Sequence, residues 1–141
     1  MKTATGRLRI VGGKVFDGTG ASALVGAEVR VRDGHIEAVG ADLGPADPFA
    51  TVVDATGCTV LPGLIEAHFH PTYFNVAALE DLDIKYPVEY VTLLAAANAR
   101  LALECGYTAA RSGGSLFNID VWLKKAIEEE VTVGPRLAPS G

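Results

Sequence analysis

The stretch Val60–His70, "VLPGLIEAHFH", decides the fold. It is an apolar run ending in two of the chain's 3 histidines, one residue apart, and Pro71 follows directly. Such a run suits a strand buried on both faces. Side chains at i and i+2 of a strand share a face. His68 and His70 therefore project together, and Phe69 points to the opposite layer. Two imidazoles side by side suit a divalent metal of the zinc class, which takes nitrogen ligands at about 2.0–2.1 Å. Glu66 lies on their face one step deeper, where its carboxylate would accept an imidazole N–H and fix the tautomer. The spacing alone is weak, because histidine is also a common polar loop residue. Its place at the end of a buried strand strengthens the metal reading. Two histidines do not complete a zinc site, which normally takes at least three protein ligands. The third, His35, follows an Asp33-Gly34 turn and is expected at the surface.

Downstream of this stretch the pattern alternates between strand and helix. "PVEYVTLLAAANARLALECG" carries a helical stripe of Val88, Val91, Leu94, Ala95, Leu101, Ala102 and Cys105. Pro87 suits its first turn and Gly106 the position beyond its end. "YTAAR" reads as a second strand, closed by Gly113-Gly114. "NIDVWLKKAIEEE" places Ile119, Trp122, Leu123, Ala126 and Ile127 on one side of a helix, with Asn118 or Asp120 as N-cap. "PRLAPS" gives a third strand, weakened by Pro139. Alternating elements of this kind build a parallel sheet with helices outside it, and in a parallel barrel the chemistry sits at the C-terminal strand ends.

Upstream the signals are short strands and turns. "RLRIVGGKVF" and "AEVRVRDGHIEAVG" alternate with period two. Asp33-Gly34 between two such runs marks a two-residue hairpin. "DGTG" at Asp17–Gly20 is a turn, "ADLGPADPFA" at Ala41–Ala50 is a loop, and two short strands flank Ala55-Thr56-Gly57. The expected organisation is α/β. Residues 1–60 form a small antiparallel β unit, and residues 61–141 form the β-α-β-α-β start of a (β/α)8 barrel. Such a barrel needs roughly 250 residues and about 80 are present here, so the chain reads as the front part of a longer protein.

The composition, 49% hydrophobic and 21% charged, is that of a globular protein. A net charge of -5 argues against nucleic acid as a partner. Arg30 and Arg32 share a strand face and read as solvated. Cys58 and Cys105 are far apart, form no CxxC, and read as buried free thiols of a reducing compartment. The first residues hold no signal-peptide core, and no stretch approaches the ~18 apolar residues of a membrane span. The reading is cytoplasmic. Ser112 and Ser115 lie in "RSGGS", which has neither a nucleophile elbow nor a phosphate-loop pattern and reads as a flexible rim loop.

The residues "TVLPGLIEAHFH" (Thr59–His70) resemble the first barrel strand of the metal-dependent amidohydrolase superfamily. "AANARLALECGYTAAR" (Ala96–Arg111), "VGPRLAPSG" (Val133–Gly141), "KVFDGTG" (Lys14–Gly20) and "VRDGHIEAVG" (Val31–Gly40) extend the likeness to its imidazolonepropionase-like and Xaa-Pro dipeptidase (prolidase)-like branch. The resemblance implies a distorted (β/α)8 barrel with a composite β-sandwich built from both chain ends. It implies one or two divalent metals, usually zinc, with His68 and His70 as the first two ligands. The other ligands, a carboxylated lysine, two histidines and an aspartate, would lie on later strands, so no catalytic residue falls within these residues. Glu66 would sit behind the ligands, and Tyr73, Arg111 and Ser112 at the substrate-pocket rim. Arg111-Ser112 stands where that branch often has Arg-Asp, which bears on the pocket rather than on the metal.

The implied activity is hydrolysis of a C–N bond, in a small-molecule amide, cyclic amide or dipeptide, by metal-activated water. The isolated chain would be inactive without the remainder of the barrel. Homo-oligomerisation stays open. The alternative is a non-catalytic amidohydrolase-like scaffold or binding protein. The reading as an independent small domain ranks last, because an open sheet edge would expose unpaired backbone groups.

Overall fold

The structure is a computed structural model that describes residues 6–74, 76–78, 81 and 85–141. Its strands are β1 (Arg7–Val11), β2 (Lys14–Val15), β3 (Leu24–Val25), β4 (Glu28–Arg32), β5 (His35–Gly40), β6 (Thr51–Asp54), β7 (Thr59–Val60), β8 (Leu64–Phe69), β9 (Tyr107–Ser112) and β10 (Arg136–Ala138). Helix α1 (Val88–Glu104) joins β8 to β9, and α2 (Ile119–Glu128) joins β9 to β10. The chain divides into two compact units, Lys2–Pro62 and residues from Gly63 to Gly141.

The first unit has two sheets, ordered β5-β4-β1-β6 and β3-β2-β7. The β4–β5 hairpin turns at Asp33 and Gly34, both at positive φ (49° and 78°), as a two-residue type I′ turn requires. The expected antiparallel unit is corrected in one respect. β1–β6 and β2–β7 are parallel pairs. The segments β1–β2 and β6–β7 run side by side from one sheet into the other. The Ala55 N–H donates to the Val11 carbonyl at 2.8 Å, and the Lys14 N–H to the Cys58 carbonyl at 3.0 Å. Val15, Ala27 and Val29 form the core, with Ile10, Val31 and Val60 packed against it.

Arg7 pairs with Arg32, and Arg9 with Arg30, across β1 and β4. Glu28 holds the inner pair. It accepts from Arg9 Nε at 2.7 Å, Arg9 Nη2 at 2.9 Å and Arg30 Nε at 2.7 Å. The other Arg30 nitrogens donate to the carbonyls of Leu43, Gly44 and Pro45 at 3.0, 2.7 and 3.1 Å. Arg30 is therefore not the solvated side chain expected of it; it pins the 41–50 loop. Hydrogen bonds from Arg9 and Arg30 hold the Glu28 carboxyl down at about 2. A depressed carboxylate adds stability that is complete above its unfolded value, near 4.5, and is lost as pH falls through about 2. The stability difference between wild type and Glu28→Gln should therefore shrink across that window, as read by denaturant titration at each pH; a pH-independent difference would contradict the pairing.

The second unit is a parallel sheet in the order β10-β9-β8, packed against α1 and α2. Ala95, Ala99, Ala110, Ile119, Leu123 and Leu137 are its buried core, with Phe69, Val91, Ala96 and Ile127 against them. Several expectations need correction here. The apolar run is not one strand: Val60 pairs in the first unit, and β8 begins only at Leu64, past Pro62-Gly63. Nor is β8 buried on both faces, since Ile65 is 72% exposed. The buried face of α1 holds Ala95 and Ala99, the second of which the expected stripe did not include, with Val91 packed against the core, and the two alanines let the helix approach the sheet. Leu101 lies roughly 120° round the helix from Ala95 at 3.6 residues per turn and is exposed, as is Trp122 of α2. Both cysteines are free and exposed rather than buried. No described helix is long and apolar enough to cross a membrane.

Candidate metal centre

The end of β8 delivers the histidines. The Nε2 atoms of His68 and His70 converge to 3.0 Å, with the rings edge-to-face at 75°. His70 stacks on Tyr73, with ring centroids 4.2 Å apart and planes 6° from parallel. His70 Nδ1 lies 3.1 Å from the Gly114 carbonyl. A carbonyl only accepts, so Nδ1 carries the proton and Nε2 presents its lone pair. Two nitrogens each about 2.0–2.1 Å from one ion, at roughly a right angle, lie about 3 Å apart. The pair therefore fits a shared divalent cation. Among the described residues no group of three or more His, Cys, Asp or Glu side chains forms a metal cluster, so the histidine pair makes no complete site by itself.

Glu66 does not bond to an imidazole. Its carboxylate accepts the backbone N–H of His68 at 3.1 Å. The β8–β9 register shifts between Glu66 and Phe69, which interrupts the simple alternation that placed Glu66 behind the rings. Tyr73, expected at the pocket rim, stacks on His70. It lines a cavity of about 260 Å³ with Glu66, Phe69, His70, Asn98 and Leu101. Arg111 is exposed in a different groove, with Ile65 and Ala138. Ser112 is 2% exposed, too deep for a pocket rim. His35 is exposed, with Nδ1 3.0 Å from the Asp33 carbonyl.

Two contributors escaped sequence reasoning. A Cβ on Gly113 would lie 2.8 Å from His70 Nε2 and 2.9 Å from His68 Cε1, closer than real contacts come. Both rings therefore rest on this glycine's bare backbone, and the Gly113 N–H donates to the Phe69 carbonyl at 2.8 Å. "RSGGS" is thus a cradle rather than a loose rim. Asn98 of α1 donates to the Pro71 carbonyl at 2.8 Å and holds the turn that carries Tyr73. A polar residue in an otherwise apolar helical stretch was the available signal for Asn98. For Gly113 the sequence held only a Gly-Gly pair.

The N-terminus of α2 is anchored beside this cradle. Asn118 is its N-cap but makes no side-chain cap bond. Ser115 Oγ instead accepts the Asp120 N–H at 2.8 Å and donates to Asp120 Oδ1 at 2.9 Å.

No protein-family profile matches the chain. Among solved structures it resembles an amidohydrolase at 31% identity and a TM-score of 0.80, covering 96% of this chain and 31% of that one. It also resembles a prolidase complexed with N-methylphosphonate-L-proline at 29% identity and a TM-score of 0.80, covering 96% of this chain and 32% of that one. A dihydroorotase from Syntrophotalea carbinolica is 38% identical over 80 residues, 55% of this chain and 16% of the enzyme. The chain thus spans about a third of the length of the solved chains it matches.

Proposed function

Starting from this likeness to the amidohydrolases and their prolidase-like members, we propose that the chain forms the front part of a metal-dependent hydrolase of C–N bonds. The observation that carries the reading is the pair of converging Nε2 atoms at the C-terminal end of a parallel strand, where barrel enzymes keep their chemistry. Strands β8, β9 and β10 would open a (β/α)8 barrel, and the remaining ligands would come from strands outside these 141 residues. A divalent ion, zinc foremost, would supply Lewis acidity for activating water and polarising a carbonyl.

The chain's own residues have three tasks. His68 and His70 hold one side of the ion. The Gly114 carbonyl keeps His70 in the tautomer that binds. Tyr73 shields one face of His70 by stacking, and its cavity offers apolar walls beside the site. Substrates of the expected class are Xaa-Pro dipeptides, N-acyl amino acids and cyclic amides.

The test is hydrolysis of these three classes by the full-length protein, before and after chelation. Activity lost on chelation and restored by zinc is the expected result. A protein that carries stoichiometric metal yet cleaves none of the classes would overturn the hydrolase reading and favour a scaffold.

A further inference from the structure

The chain leaving β8 turns at residues 70–73, and the Tyr73 N–H closes the turn by donating to the His70 carbonyl at 3.1 Å. Pro71 stands at the second position, where its fixed φ favours a β-turn. One side chain from outside grips this turn. Asn98 Nδ2 donates to the Pro71 carbonyl at 2.8 Å and lies 3.5 Å from the Tyr73 carbonyl. Asn98 follows Ala95 and precedes Ala99 on α1, and these two are 0% and 1% exposed in the core, so the gripping amide stands on a fixed helix. Asparagine is a poorer helix former than alanine, so helix formation does not favour it here. Thr72 adds no tether: its hydroxyl is buried and has no hydrogen-bond partner among the described residues.

The turn decides where the Tyr73 ring lies. That ring is 38% exposed, so its backbone, rather than packing all round, sets its place. It lies flat on His70, with centroids 4.2 Å apart and planes 6° from parallel, and aromatic rings stacked in this way attract one another. The Gly114 carbonyl, 3.1 Å away, fixes the Nδ1 edge of the imidazole, and the Tyr73 ring fixes its plane. We infer that Asn98 is a positioning residue for His70. Through the Pro71 carbonyl it sets the turn, through the turn the Tyr73 ring, and through that ring the plane in which Nε2 converges on His68. Each step is a hydrogen bond, a peptide link or a ring contact. The effect on zinc rests on the metal reading proposed above, whereas the effect on the ring stack stands without it.

The experiment compares wild type with Asn98→Ala, Asn98→Asp, Tyr73→Ala and Tyr73→Phe in the full-length protein. Proton NMR without metal reads the ring-current shift that Tyr73 imposes on the His70 ring protons, and competition with a chromophoric chelator reads Zn²⁺ affinity. Wild type and Tyr73→Phe should share the upfield shift and the affinity, because stacking needs the ring and not its hydroxyl. Asn98→Ala should lose most of the shift and bind zinc roughly 10-fold more weakly, the lower end of what a ligand's outer partners contribute. Asn98→Asp, which keeps the size but loses the donor, should do the same. Tyr73→Ala should match them in affinity, and combining it with Asn98→Ala should cost little more, as steps on one path do. A folded Asn98→Ala with a lower melting temperature but the wild-type shift overturns the proposal. Tyr73→Ala, which alters an exposed ring, overturns it independently if zinc affinity is unchanged. If wild type binds no zinc but the shift still depends on Asn98, the metal reading fails and the positioning role stands.

Discussion

Alanine at His68 or at His70 should lower chelator-sensitive hydrolysis by roughly 10³-fold or more, because either change removes one of the two imidazoles proposed to hold this side of the ion. The two variants should differ in stability. His68 is exposed, so its removal should leave unfolding within about 0.5 kcal/mol of wild type. His70 is half-buried, bonded to Gly114 and stacked on Tyr73, so its loss also removes packing and lowers the melting temperature. Steady-state kinetics and thermal unfolding read the two effects separately. Activity within tenfold of wild type for either variant would remove the histidine pair from the mechanism.

Gly113→Ala should weaken metal binding and activity by about 100-fold, the scale set by displacing a reacting group by about 1 Å. The added Cβ meets both rings below 3.0 Å at once. One ring cannot yield into the other, because the Nε2 atoms already stand 3.0 Å apart, so both must turn away. Gly113→Val should be worse. Zinc titration of the folded variants checks this, and unchanged affinity in Gly113→Ala would show that the rings do not rest on that backbone.

Much of the second unit was legible in the sequence. The alternation of strand and helix, the His-x-His before a proline, and the glycine after α1 each follow from local physics. The strand pair around Asp33-Gly34 was equally plain, since one dipeptide sets its turn. The parallel partners β6 and β7 were not, because a strand does not encode which distant edge it returns to. Glu66 was misplaced because a register shift is invisible to an alternation rule. Arg30 looked solvated because its carbonyl partners lie in a loop 13 to 15 residues away. Ser112 looked like a rim residue because nothing local shows that its side chain is buried, with its hydroxyl accepting the Gly114 N–H. Gly113 carries no functional group, and its importance is the space it leaves.

The most direct measurement is X-ray absorption at the metal edge of the full-length protein, compared with the His68→Ala, His70→Ala double variant. The expected spectrum shows imidazole nitrogens at about 2.0–2.1 Å, with two of them lost in the double variant. A metal-loaded protein whose nitrogen shell is the same in both would contradict the assignment of His68 and His70 as ligands.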